Sequence, residues 1–318
     1  MGCGTVSFGR GRHGVSPVRQ HWVLDPEPTG AAMFVETRTP ASPRMLPIVL
    51  VHGGGGQGTD WGTTPDGRPG WADLLIEQGY EVHVVDRPCH GRSPGRTSTP
   101  AALAMTARLF APGDRPEHSQ WPGPGGIDDP FVRTLAASAT GLPSDLAAAQ
   151  VIERRLLEAL LEDVGPAVLV AHSLGACAAW LVAESRPDLV AGVVALEPAG
   201  PPYLDVPGTP LGLPAGITAA PLWPTTGAVG LSSVAVAIVE GETSQMQAAC
   251  APVADFLRLA GVGVDHLVLA DRGLRGNGHG LAIELNNREV LGIVLDWVQA
   301  AAYPHDHSAS FLGTGEPA

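Results

Sequence analysis

Short apolar runs alternate with helical patterns along most of the chain, and this alternation constrains the fold more than any other feature of the sequence. Two β-rich stretches come first, at residues 18–24 and 31–37. Strands of the kind buried on both faces of a sheet then alternate with helices. These strands lie at residues 46–51, 81–85, 166–171, 190–196, 233–239 and 265–269, and the helices at residues 71–78, 175–184, 245–259 and 283–301. This order predicts an α/β fold, with a mostly parallel central sheet flanked by helices.

Two long segments interrupt the alternation. Residues 96–149 are rich in Pro, Gly and Ala, and residues 198–231 contain eight Pro. Loops of this length in a compact domain are usually lids or binding loops, and a linker or a disordered insert is the alternative. We expect one domain over residues 1–318, with its core at 18–95 and 150–302, a lid insertion at about 96–149, a second loop excursion at 198–231 and a flexible tail at 303–318.

The charge of the chain argues against a nucleic-acid partner. The formal net charge is −13, and all 19 basic residues are Arg. Binding to phosphates needs basic residues clustered on one surface. No apolar stretch approaches the roughly 18 residues of a membrane span, so no membrane partner is expected either.

The start of the chain shows no signal peptide. Residues 1–14 are rich in Gly and Arg and contain no apolar h-region. The sequence therefore predicts a cytoplasmic protein, with a secreted mature form as the alternative. The four Cys are widely spaced and form no metal-like pair. We expect no metal and no cofactor, and the oligomeric state is left open, with a homodimer among the alternatives.

An apolar strand runs directly into Ser173, and a helix of small residues follows at once. Residues 168–177 read VLVAHSLGAC, the pattern of a nucleophile elbow with Ala171 in place of the usual first Gly. Such a turn lifts the serine Oγ clear of the sheet and places helix N–H groups beside a developing oxyanion. The sequence therefore predicts Ser173 as a nucleophile; a surface serine at an ordinary strand–helix turn is the alternative.

Four consecutive glycines follow the third predicted strand. Residues 51–56 read VHGGGG, and glycine lets the backbone approach a ligand closely. In folds with a nucleophile elbow this loop supplies one oxyanion N–H, and the residue after the nucleophile supplies another. We expect these donors to be Gly54, with Gly55 as its alternative, and Leu174. A phosphate loop is the weaker interpretation, because neither GxGxxG nor a GK[ST] ending is present.

A general base and an acid are expected later in the chain than the nucleophile. His279 lies between glycines just after the last predicted strand, so we predict it as the base. Two places offer a carboxylate. Glu197 ends one predicted strand, whereas Glu240 and Glu242 lie in the loop after the next. We prefer Glu197 and interpret the other two as solvated loop charges.

Several blocks resemble a subgroup of bacterial and fungal serine esterases with the α/β-hydrolase fold. The matching blocks are TDWGTTPDGRPGW at 59–71, GY at 79–80, DRPCHGRS at 86–93, GNGH at 276–279, NN at 286–287 and DW at 296–297. The resemblance covers most of residues 46–95 and 165–300. In that subgroup the triad acid is a Glu after the sixth strand, in a V-x-x-x-E-P context that residues 193–198 match.

The resemblance implies a serine carboxylic-ester hydrolase that acts through an acyl-enzyme. In this interpretation Ser173 attacks the ester, His279 moves the proton and Glu197 orients the imidazole. The expected partner is a small-molecule ester. Its expected contacts are Gly55, Trp61, His172 and Trp223. The same machinery serves acyltransferases, lactonases, amidases and C–C hydrolases, and a non-catalytic ligand-binding member of the fold is an alternative of another class.

Overall fold

The computed structural model describes residues 18–43, 46–93, 95, 103–201 and 229–302, and one eight-stranded sheet forms its centre. The pairs β1–β2 and β2–β4 are antiparallel and the other pairs are parallel, so the predicted mostly parallel sheet is confirmed. In chain order the strands are β1 (Val18–Leu24), β2 (Ala32–Arg38), β3 (Ile48–Val51), β4 (Val82–Asp86), β5 (Ala167–His172), β6 (Val190–Leu196), β7 (Val236–Glu240) and β8 (Val264–Val268). Across the sheet they follow the order β1-β2-β4-β3-β5-β6-β7-β8.

Helices cover both faces of the sheet. They are α1 (Trp71–Glu77), α2 (Leu103–Phe110), α3 (Pro130–Ser138), α4 (Leu146–Val164), α5 (Ala176–Ser185), α6 (Gln247–Leu259) and α7 (Asn287–Ala302). Successive side chains of a strand point to opposite faces. In β3, Val49 and Val51 accordingly pack in the cluster that contains α4, α5 and α6, whereas Ile48 and Leu50 pack in the cluster that contains α1 and α7. The predicted α/β-hydrolase architecture is confirmed.

The sheet brings the predicted site residues to one edge. In a parallel sheet the carboxyl ends of the strands lie together, and ligands bind there. Ser173 follows β5, Glu197 follows β6, and the glycine loop follows β3. These three strands are consecutive neighbours around β5.

Three helices of the structure, α2, α3 and α4, have no counterpart among the predicted helices, and a fourth, α7, begins later than predicted. The helix α4 was not predicted, although Asp145 caps its first turn by accepting the N–H of Ala148 at 2.9 Å and Gly165 ends it with a φ of 88°. Its Ala-rich start was interpreted as part of the insertion. The predicted helix at 283–301 begins only at Asn287. The preceding residues form turns, because Glu284 points into a buried network beside His279.

The described part of the predicted lid is packed rather than extended. It contains α2, α3 and the start of α4, and Trp121 and Val132 form a small core there with Ile283 of the main body. Asp129 accepts the indole N–H of Trp121 at 2.7 Å and thereby fixes the turn before α3. The tail at 303–318 and Trp223 lie outside the described residues. No helix in the described ranges is long and apolar enough to cross a membrane.

Candidate active site

Ser173 lies at a tight turn between β5 and α5. It has a φ of 52°, which is unusual for any residue with a side chain. A short 3-10 turn, Ser173–Gly175, then leads into α5. A Cβ at Gly175 would lie 2.3 Å from the carbonyl oxygen of His52, so only glycine fits where this turn crosses the glycine loop. The structure thus has the backbone geometry that the elbow motif predicts.

The glycine loop lies directly against Ser173 and Leu174. A Cβ at Gly53 would lie 3.2 Å from the Cβ of Ser173, and a Cβ at Gly54 would lie 2.3 Å from Cδ1 of Leu174. Side chains at these positions would fill the space in front of the serine. Gly55, by contrast, faces the insertion, since its carbonyl oxygen accepts the N–H of Thr140 at 2.7 Å.

Three donors orient the peptide between Gly53 and Gly54. The carbonyl oxygen of Gly53 accepts hydrogen bonds from Nδ1 of His52 at 2.8 Å, Nη1 of Arg87 at 3.2 Å and the N–H of Gly56 at 3.3 Å. In a trans peptide the N–H points opposite to the carbonyl. The N–H of Gly54 therefore points away from Arg87. The first N–H groups of the helix after Ser173 also have no intrahelical acceptor, so both sets of N–H groups are available to a ligand.

Arg87 supports this loop from behind, and sequence analysis did not identify it. Its Nη2 lies 2.9 and 3.2 Å from the two carboxylate oxygens of Glu153 on α4. Both side chains are buried, and burial raises the pKa of Glu153. The backbone N–H of Arg87 donates to Nε2 of His52 at 2.9 Å. Nδ1 of the His52 ring is therefore the nitrogen that donates to the carbonyl of Gly53. The ion pair thus fixes the loop in one orientation.

His279 meets Glu197 in the buried interior. The distance from Nδ1 of His279 to Oε2 of Glu197 is 3.1 Å. Burial lowers the pKa of His279 to about 4, so its imidazole is neutral at neutral pH. The His279 carbonyl oxygen accepts from Nε2 of His172 at 2.9 Å, and the two rings lie 4.5 Å apart. His172 directly precedes Ser173, so this contact joins the histidine loop to the elbow.

Glu197 is fully buried at the tip of β6. Its φ of 48° turns the chain sharply as the strand ends. Besides His279, its carboxylate accepts the N–H of Gly241 at 2.7 Å and the hydroxyl of Ser244. Burial raises the pKa of Glu197, whereas the hydrogen bonds from Ser244 and Gly241 lower it and so favour the charged carboxylate. The carboxylate is therefore held in one position by several donors.

The two alternative carboxylates bind other residues. Glu240 contacts Nε2 of His266 at 2.7 Å, and Glu242 binds Arg275 and the N–H of Gly276. Of the three predicted carboxylates, the structure brings only Glu197 to His279.

A second buried carboxylate holds the loop that carries His279. Glu284 is fully buried and accepts the N–H of Gly278 at 2.8 Å, Nδ2 of Asn277 at 2.8 Å and Nε2 of His118 at 2.9 Å. A Cβ at Gly278 would lie 2.2 Å from the His118 ring, so the insertion packs tightly on this loop. The sequence pattern predicts Glu284 to lie in a helix, and its position five residues after His279 is the available signal for a role at the site.

A cavity of about 50 Å³ opens beside Ser173. Two of the predicted substrate contacts, Trp61 and His172, line it, together with Phe110 of α2 and Leu135 of α3. Within the described ranges no group of three or more His, Cys, Asp or Glu is arranged to hold a metal ion.

The chain is similar to known hydrolases in sequence and in fold. A family model described as the alpha/beta hydrolase fold matches residues 47–217. A fungal protein (Fungal sp., strain ATCC 74256) named probable secreted lipase phiG is 33% identical over 312 residues, which cover 84% of this chain and 85% of the relative. The predicted cytoplasmic location is therefore wrong: it depended only on a missing apolar h-region, and this relative indicates secretion instead.

Two solved structures show the same fold. A novel bacterial esterase superimposes with a TM-score of 0.66 at 22% identity, covering 90% of this chain and 94% of its own. A structure from work on carboxylesterases of the thaumarchaeon Nitrososphaera gargenis gives a TM-score of 0.52 at 14% identity, covering 89% and 100%. With the family model spanning more than half of the sequence, the chain belongs to the α/β-hydrolase family.

Proposed function

We propose that this protein is a serine carboxylic-ester hydrolase with the triad Ser173, His279 and Glu197. The observation that carries the proposal is the buried 3.1 Å contact between His279 and Glu197, together with the hydrogen bond that joins the His279 loop to His172, the residue before Ser173 on its strained strand–helix turn. Ester hydrolysis is the activity in the names of the relatives, a secreted lipase and esterases. The fungal relative also supports secretion of this protein.

The reaction proceeds through an acyl-enzyme. Oγ of Ser173 attacks the ester carbonyl carbon while Nε2 of His279 accepts the hydroxyl proton. The same proton passes to the departing alkoxide, which leaves as an alcohol. Water then attacks the acyl carbon, again giving a proton to His279, and the acid leaves as Ser173 regains its hydrogen. Glu197 holds Nδ1–H and stabilises the imidazolium that forms in each half-reaction.

The N–H groups of Gly54 and Leu174 bind the oxyanion. Support comes from the Gly53 carbonyl, which three donors hold on the Arg87 side, so that the Gly54 N–H faces the other way. Donors fixed in this way need no reorganisation when charge develops on the ester oxygen.

Residues 103–149 form a lid over the substrate in this proposal. Phe110 and Leu135 project from its helices into the wall of the cavity beside Ser173. Apolar side chains from an insertion suit the binding of an acyl or alkyl chain.

A fluorophosphonate probe tests the proposal, because such reagents phosphonylate an activated serine. Peptide mass spectrometry should find the adduct on Ser173, and labelling should be lost in Ser173→Ala. The variant Ser185→Ala removes a serine at the end of α5 and serves as the control that keeps labelling. An adduct on another serine, or equal labelling of Ser173→Ala, would contradict the assignment.

A further inference from the structure

The cavity beside the nucleophile is apolar along most of its wall. It adjoins Ser173 through Gly53 and His172, which contact that serine's turn. The side chains of the apolar wall are Trp61, Phe110, Leu135, Leu281 and Ile283. Part of an ester bound at Ser173 would therefore extend into this space.

One carboxyl group interrupts the apolar wall. Asp60 lies on the short 3-10 turn Gly58–Trp61 and lines the cavity. Its Oδ2 accepts the N–H of Gln57 at 3.0 Å, and no donor within the described residues bonds to Oδ1. Burial, with a smaller contribution from the charge of Asp86, raises the pKa of Asp60 to about 7. Oδ1 of Asp60 therefore lacks a hydrogen-bond partner, which costs free energy in apolar surroundings.

The neighbouring residue offers a donor in the same wall. Trp61 is 2% exposed, and its indole Nε1 is buried with no hydrogen-bond partner in the part of the chain that the structure describes. Trp61 as a residue lines the cavity. Buried polar groups are nearly always paired, so its orphaned indole N–H calls for an acceptor.

Two other polar side chains line the wall. His52 uses both ring nitrogens, on Gly53 and on the backbone N–H of Arg87. His172 donates from Nε2 to the carbonyl of His279, and its Nδ1 remains as an acceptor next to Gly53 at the elbow. Asp60 and Trp61 are thus the adjacent side chains that can offer both an acceptor and a donor to a polar group on the substrate.

We propose that this cavity binds a hydroxyl group on the substrate, which accepts from the indole N–H of Trp61 and donates to the carboxyl of Asp60. A hydroxyl both donates and accepts hydrogen bonds, whereas an ammonium group only donates and a plain alkyl chain does neither. A carboxylate would be repelled by Asp60. The inference rests on the proposed esterase function and deepens it: the substrates are hydroxylated esters.

Matched ester pairs test this proposal. One pair differs in the acyl half, p-nitrophenyl 3-hydroxybutyrate against p-nitrophenyl butyrate. The other differs in the alcohol half, 3-hydroxypropyl acetate against propyl acetate. For each pair the hydroxyl ratio is kcat/KM of the hydroxylated ester divided by kcat/KM of the plain ester. The wild-type ratio should exceed one in at least one pair.

Three variants separate the two contacts. Asp60→Leu should lower that ratio by roughly tenfold or more, because the plain ester gains from an apolar wall while the hydroxyl loses its acceptor. Asp60→Asn keeps an acceptor for the N–H of Gln57 and should lower the ratio by about threefold. Trp61→Phe keeps an aromatic ring without the N–H and should also lower it by about threefold. If Asp60→Leu fails to fold, the other two variants carry the test.

The proposal is overturned if the wild-type ratio is below one in both pairs, or if the ratios of the folded variants stay within twofold of wild type. Ser173→Ala distinguishes this failure from failure of the esterase function. Turnover of all four esters that survives in Ser173→Ala would contradict the triad. Turnover that is lost in Ser173→Ala, with ratios unaffected by the Asp60 and Trp61 variants, would leave the esterase function standing and remove the hydroxyl site.

Discussion

Ser173 and Glu197 both adopt a positive φ, 52° and 48°, although neither is glycine. Such conformations cost of order 1–3 kcal/mol and persist only where surrounding contacts impose them. The contacts are visible here, since the Ser173 carbonyl accepts the N–H of Ala199 at 3.0 Å and the N–H of Glu197 donates to Val239 at 2.9 Å. Strain of this kind therefore lies at the tips of the two strands that precede the proposed nucleophile and the proposed acid.

The role of Glu197 is tested by changing its charge alone. Glu197→Gln should lower kcat by roughly 10²–10⁴, because an amide neither fixes the imidazole tautomer nor stabilises the imidazolium. Glu242→Gln is the matched control, and it should stay within about threefold because that side chain binds Arg275 near the surface. The measurement is kcat of both variants on p-nitrophenyl acetate. A large loss of kcat in Glu242→Gln, with Glu197→Gln still active, would make Glu242 the triad acid instead of Glu197.

The acid limb of the pH profile reports His279. A general base acts only when it is neutral, so activity is lost as pH falls through its pKa in the folded enzyme. Burial lowers the pKa of His279 to about 4. The profile of kcat/KM should accordingly stay flat from pH 7 down to about 5 and fall below that. An acid limb at pH 6.5 or above would indicate an imidazole in contact with solvent. That result would contradict the buried position of His279.

The motif residues could be predicted from the sequence, whereas their supports could not. Ser173 and His279 stand in short local patterns. Arg87 and Glu153 meet across 66 positions, and His118 meets Glu284 across 166. Partners so distant in the chain leave no periodic or motif signal, because their pairing depends on how the insertion and α4 fold onto the sheet.

At the scale of elements, the loop from Asn277 to Glu284 is held by side chains rather than by regular secondary structure. Glu284→Gln replaces one acceptor oxygen by a donor, which faces the donors of His118 and Asn277. We expect kcat to fall by about tenfold with a smaller change in KM, since a misplaced base affects the transition state more than binding.

The Glu284 carboxylate also raises the pKa of His279 through its charge. The acid limb of Glu284→Gln should therefore move to lower pH, a shift that general destabilisation would not produce. Glu289→Gln, an exposed change in α7, is the control. An unchanged kcat and an unchanged acid limb in Glu284→Gln would remove Glu284 from the positioning of His279.

Buried strands were the elements that sequence patterns predicted best. The strand at 190–196 coincides with β6, because a strand covered on both faces must be apolar throughout. The helix α4 was missed because its first turn, Leu146–Ala149, continues the Ala-rich composition of the insertion. Only the caps at Asp145 and Gly165 indicate its bounds. Capping residues at the two ends of a helix therefore predict its bounds better than the amino-acid composition of the segment does.

At the scale of the whole molecule, buried neutral histidines make stability depend on pH. Burial lowers the pKa of His83 to about 4, of His90 to about 3 and of His279 to about 4. As pH falls from 6.5 to 4.5, these groups take up protons in the unfolded chain but not in the folded one, so stability falls. Three acids whose pKa values burial raises, Asp60, Glu153 and Glu197, act in the opposite sense over that interval.

The histidines outnumber these three acids, because His52 and His172 are also held neutral by burial. The thermal midpoint Tm should therefore fall between pH 6.5 and 4.5. Each such histidine contributes about 1.4 kcal/mol per pH unit to the slope of the unfolding free energy. His90→Asn should reduce the slope by about that amount, as denaturant titrations at several pH values would show. A Tm that stays constant or rises on acidification would contradict this account.

The fold and the elbow place Ser173 at the carboxyl edge of the sheet, and the proposed triad joins it to the buried His279–Glu197 contact. The most direct test is kcat for p-nitrophenyl acetate in Ser173→Ala, with Tm measured to show that the variant is folded. We expect a loss on the order of 10³-fold or more at an unchanged Tm. A folded Ser173→Ala that turns over this ester within about tenfold of wild type would contradict it.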